Sequence, residues 1–97
     1  MSDADSPART LLSGSFSFAR PALLCARAHL YENRLELTGW QLTGRYRRRV
    51  PLRRILQADA PEANRLLLWM ADGQTLRLRV DEARRWQQAI ARRLDAP

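Results

Sequence analysis

Between Asn64 and Leu94 a strand-length apolar run meets a glycine turn, an alternating strand and an amphipathic helix, and no other stretch restricts the fold as much. Asn64-Arg65-Leu66-Leu67-Leu68-Trp69-Met70-Ala71 is long and apolar enough for one strand, and Asp72-Gly73 has the chemistry of a hairpin turn. Thr75 to Val80 then alternates with period two. Directly afterwards Asp81 suits an N-cap and Glu82 suits the positive end of a helix dipole. Trp86, Ile90 and Leu94 recur every four residues, so one helical face is apolar. The pattern predicts a helix from Asp81 to about Leu94 that buries Trp86 and Ile90 against a sheet.

The upstream chain supplies the rest of that sheet. Serines at 13, 15 and 17 alternate with Gly14, Phe16 and Phe18, a first strand with both phenylalanines inward that Arg20-Pro21 ends. A second strand is expected from about Leu23 to Tyr31, with Leu24, Ala26, Ala28 and Leu30 on the inner face. Its small residues suit a place where a sheet curls. Glu32-Asn33 turns the chain into Arg34 to Trp40, with Leu35 and Leu37 inward, and Gly39 and Gly44 bracket a turn-rich connection. From Arg45 to Leu52 three arginines, Arg45, Arg47 and Arg49, share one face, with Tyr46, Arg48 and Val50 on the other, and Pro51 ends the strand. Arg54 to Asp59 is a short fifth strand, and Ala60 to Ala63 is a loop before the closing hairpin. The expected fold class is therefore mostly β with one C-terminal α-helix, about seven antiparallel strands forming a barrel capped by the helix.

At 97 residues the chain fits one domain, 11–97, after a disordered tail over 1–10 that carries Asp3, Asp5 and Pro7 and has little to bury. No apolar run approaches the ~18 residues of a membrane span, so a soluble protein is expected. The single cysteine, Cys25, favours a reducing, cytoplasmic setting. Chemistry finds few candidates. The lone histidine, His29, would stand ~13 Å from Cys25 along an extended strand, too far for a nucleophile and base. No Gly-rich phosphate loop, paired-carboxylate pattern or metal-ligand spacing is present, so no enzyme, metal, cofactor or small-molecule substrate is expected.

The strand order and four quoted stretches carry a resemblance. Leu30-Tyr31-Glu32-Asn33-Arg34-Leu35-Glu36-Leu37, Arg49-Val50-Pro51-Leu52-Arg53-Arg54-Ile55, Ala71-Asp72-Gly73-Gln74 and Trp86-Gln87-Gln88-Ala89-Ile90, read in that order, resemble small bacterial pleckstrin-homology-like and GRAM-type domains. The resemblance implies a strongly bent sheet closed at one end by the helix, and a binding role rather than catalysis. Many such domains bind anionic lipid head groups and others bind only proteins. In the lipid-binding ones, basic residues lie at the end of the first strand and on the second, where Arg20, Arg27 and His29 stand here.

Net charge is +7 and all 17 basic residues are arginine, on strands and helix alike. Such even spread reads first as compositional bias and solubility, and second as affinity for an anionic partner. Arg45, Arg47 and Arg49, with Arg20 and Arg27, are the anion-binding candidates, against the alternative that they protect a sheet edge. Trp40, Trp69 and Leu67 are the candidates for a partner surface, because both faces of the Leu66–Met70 run are apolar and one core cannot take both. The functional expectation is a non-enzymatic module for protein binding or self-association, with an anionic membrane surface as the alternative. Nucleic acid ranks last, since the common basic β-barrel places its helix between strands and stacking aromatics are missing from the basic strand.

Overall fold

The computed structural model describes residues 10–18 and 22–95. The expected tail up to residue 9, and Arg20, lie outside the described residues. Seven strands and one helix follow in order: β1 Leu12–Ser17, β2 Leu24–Leu30, β3 Arg34–Gln41, β4 Gly44–Pro51, a 3₁₀ turn Leu52–Arg54, β5 Ile55–Glu62, β6 Arg65–Met70, β7 Thr75–Val80 and α1 Ala83–Leu94. Every ladder is antiparallel, in the order β4-β3-β2-β1-β7-β6-β5.

The sheet divides at β1. Leu12 to Ser15 pair with β2, whereas Phe16 and Ser17 pair with β7. Side chains of both halves point into one core, in which Leu30, Leu35, Leu37, Val50, Leu66, Leu68 and Ile90 are fully buried. No ladder joins the outer strands β4 and β5, so the sheet is bent but not closed. Instead α1 packs on β5, β6 and the 3₁₀ turn, burying Ala83, Trp86 and Ile90. The indole lies over Gly14, where an added Cβ would stand in ordinary contact 3.6 Å from the Trp86 ring, and Gly14 pairs with buried Ala28.

Four local expectations need correction. Leu24 does not point inward with Ala26, Ala28 and Leu30 but is 69% exposed. A bulge between Leu24 and Arg27, with Cys25 at φ 53°, inserts an extra residue against β3 and reverses the alternation. Leu23 packs on the core instead, and a Cβ at Gly39 would meet the Leu23 Cβ at 3.2 Å. Gly39 is thus a close-approach residue inside β3, and the β3–β4 connection shrinks to Leu42-Thr43.

The helix starts at Ala83, not Asp81, and no side chain caps it. Glu82 adopts a left-handed conformation (φ 54°) that turns the chain out of β7, and the Ala63 carbonyl accepts the Ala83 N–H at 2.8 Å. Backbone from the β5–β6 turn therefore does the work expected of Asp81. Likewise Ala60 to Glu62 continue β5 rather than forming a loop, and the turn is Ala63-Asn64. Pro61 is tolerated there because β5 is an edge strand whose ladder runs only to β6.

Candidate interaction surfaces

Outward residues of β3 and β4 follow directly from the hairpin register. Glu36 stands opposite Arg49, Thr38 opposite Arg47 and Trp40 opposite Arg45. A short acid among long arginines becomes covered by them, and the Glu36 side chain is only 8% exposed. Arg34 Nε donates to its Oε2 at 2.6 Å, an Arg47 guanidinium nitrogen donates to Oε1 at 3.3 Å, and Arg49 Nε lies 4.0 Å from Oε2. Arg34 also sits over the Tyr31 ring, 4.3 Å from its centroid. Burial pushes the Glu36 carboxyl up, but hydrogen bonds from Arg34 and Arg47 together with their charges outweigh it, and the carboxyl titrates below its ordinary value.

Two of the three arginines proposed as an anion site therefore already face a carboxylate. Arg45 is apart from that cluster, opposite Trp40, and Arg27 reaches toward the Ser15 hydroxyl at 3.5 Å. Glu36 carried no functional weight in the sequence. Its signal is an acid on the same alternation as Arg34, legible only with the β3–β4 register in hand.

At the end of that hairpin three apolar side chains stand in solvent. Leu42 is fully exposed in the turn, Trp40 is 52% exposed, and Leu24 lies directly opposite Trp40 on β2. The bulge at Cys25 brings Leu24 to this face. Arg45 flanks the group.

The second half of the sheet has its own outer face. Leu66, Leu68 and Met70 fill the core, so Arg65, Leu67 and Trp69 must point away from it. Trp69 is 44% exposed and Leu67 half-buried, and α1 lies on the opposite side of the sheet. Across the ladder Trp69 faces Thr75, Leu67 faces Arg77 and Arg65 faces Arg79. Next to them a groove of about 700 Å³ is lined by Phe18, Pro61, Arg65, Leu67, Arg77 and Arg79. Sequence reasoning treated Arg77 and Arg79 as background charge, because their apposition to Arg65 depends on register.

Cys25 is exposed in the bulge, and His29 lies opposite Glu36 and Ser13. Among the described residues no three His, Cys, Asp or Glu side chains gather as metal ligands, and no helix is long and apolar enough to cross a membrane. No family model, curated protein or solved structure matches the chain.

Proposed function

We propose that this is a non-enzymatic interaction module of pleckstrin-homology-like type, working in the cytoplasm, whose β5–β7 outer face docks a protein partner or a second copy. Seven antiparallel strands bent about β1, followed by one helix packed into the open core, support the fold assignment. The observation that carries the functional reading is Trp69. A large aromatic residue costs solvation when left in water, the core is complete without it, and it adjoins half-buried Leu67.

Trp69→Glu is expected to leave the unfolding midpoint almost unchanged, within about 1 kcal/mol, as for other surface positions. Light scattering over a concentration series would show whether the parent self-associates. A dimer that reverts to 11.2 kDa in the variant supports the second-copy form. A monomeric parent with a stably folded variant leaves a different protein as partner. Unfolding of Trp69→Glu would make Trp69 a core residue and remove the reading.

Contact with an anionic membrane is a second reading, favoured by the β3–β4 tip. Exposed Leu24, Trp40 and Leu42 beside Arg45 match an apolar wedge with a basic flank. Leu42→Asp should lower sedimentation with phosphatidylserine vesicles about tenfold, since it removes the apolar side chain that would enter the bilayer and adds repulsion. Its thermal stability should equal the parent's. Equal binding by parent and variant, or equal binding to phosphatidylcholine vesicles, would rule this out.

A further inference from the structure

The two halves of the sheet treat their arginines differently. On β3 and β4, three guanidinium groups share the carboxylate of Glu36. On β6 and β7, Arg65 and Arg79 are direct cross-strand partners with Arg77 two residues along, and like charges so placed repel. The ion pair on this face is Arg65 with exposed Glu62 at 3.7 Å, while Arg77 and Arg79 have none among the described residues. These arginines line the groove together with Phe18, Pro61 and Leu67. A repulsive arrangement around an apolar hollow is a poor way to stabilise a sheet and a good way to hold an anionic chain with apolar side chains.

From this we propose that the groove on the β1, β6 and β7 outer face binds an extended acidic segment of a partner protein, with glutamate carboxylates at alternate positions on Arg77 and Arg79 and the methylene stems of those same side chains against Leu67. The inference rests on the reading of this face as a docking surface and names its occupant. Spacing carries it: Arg77 and Arg79 project from the same side of one strand, ~7 Å apart, and an extended peptide repeats its own same-side residues at that distance. Guanidinium groups meet carboxylates in a two-pronged geometry, so the match is directional as well as coulombic. A second copy is the poorer occupant, because each copy carries +7 and would bring further arginines to this face. A bilayer is also poorer, since a flat surface does not enter a groove whereas the β3–β4 tip protrudes.

The test is fluorescence anisotropy with a short fluorescein-labelled peptide of alternating glutamate and valine. Two controls share its length: one has glutamine for glutamate, and one has the same composition with all glutamates in a single block. At ~150 mM salt the alternating peptide is expected to bind about tenfold more tightly than either control. Arg77→Glu with Arg79→Glu should abolish binding, whereas Arg84→Glu with Arg85→Glu on the helix, an equal change of charge, should keep it within about twofold.

Stability gives an independent readout. Glutamate at position 79 faces Arg65 and replaces repulsion by attraction, so Arg79→Glu should raise the unfolding midpoint while losing the peptide. A lower midpoint would mean that Arg79 supports the fold, and would overturn the proposal. So would equal loss from both double variants, no preference for the alternating peptide, or no binding. If the peptide fails while Trp69→Glu folds and dissociates a dimer, the docking face stands and only this occupant falls.

Discussion

Trp86→Ala is expected to lose about 3–5 kcal/mol of stability, a large part of what holds a domain of this size together. Trp86 is buried near the start of α1, one turn after Ala83 and one before Ile90, and α1 packs on β5, β6 and the 3₁₀ turn. Removing the indole leaves a void over Gly14, which has no side chain to fill it. Trp86→Phe keeps most of the volume and should recover much of the loss. Urea titration followed by circular dichroism measures all three. Trp69→Ala is the matched control, the same residue type on the outer face, expected to cost about 1 kcal/mol or less. Parent-like stability of Trp86→Ala would mean that the helix is not what completes the core.

The second large effect is expected at Glu36. Its removal in Glu36→Ala leaves Arg34, Arg47 and Arg49 facing one another without the carboxylate that gathers them, at a cost of about 2–3 kcal/mol. A fully buried pair would cost more, but these guanidinium groups keep part of their surface in water and repulsion between them is screened. The effect depends on pH with a definite sign. Because the carboxyl titrates lower in the folded protein, the unfolded chain takes up this proton first as pH falls. The contribution of Glu36 is complete above the ordinary glutamate value of about 4.3 and is lost as pH falls through the lower folded value. Parent and Glu36→Ala should therefore differ by a constant amount from neutral pH to about 5, and converge in more acidic urea titrations. A gap that persists in acid would mean that Glu36 acts by packing rather than by charge.

The elements of this fold were written in local patterns. Alternation of Ser13, Ser15 and Ser17 with Gly14 and Phe16 marks β1, and Thr75 to Val80 marks β7. Gly73, at φ 91°, turns the hairpin where Asp72-Gly73 stands, and four-residue spacing puts Trp86 and Ile90 on the buried side of α1. These features follow from a two-residue repeat, a helical repeat or one residue's freedom of φ, and each is complete within a few positions. The errors arose where a residue's setting depends on chain far away. Leu24 turned outward because of one extra residue at Cys25, and a single insertion reverses every side chain beyond it without a compositional mark. Asp81 lost its capping role to the carbonyl of Ala63, a group every residue carries.

The surfaces depended on distant chain in the same way. Arg45, Arg47 and Arg49 were visible as a basic face, but Glu36 became their partner only through the β3–β4 register. Arg65, Arg77 and Arg79 looked no different from the arginines of the helix until the β6–β7 ladder set Arg65 opposite Arg79 beside an apolar groove. Residue type and alternation establish which side of its strand a charge leaves from. Whether it then meets a carboxylate, another arginine or water is settled by the pairing of strands, because coulombic and hydrogen-bond energies act over distances of a few ångströms in space and take no account of separation along the chain.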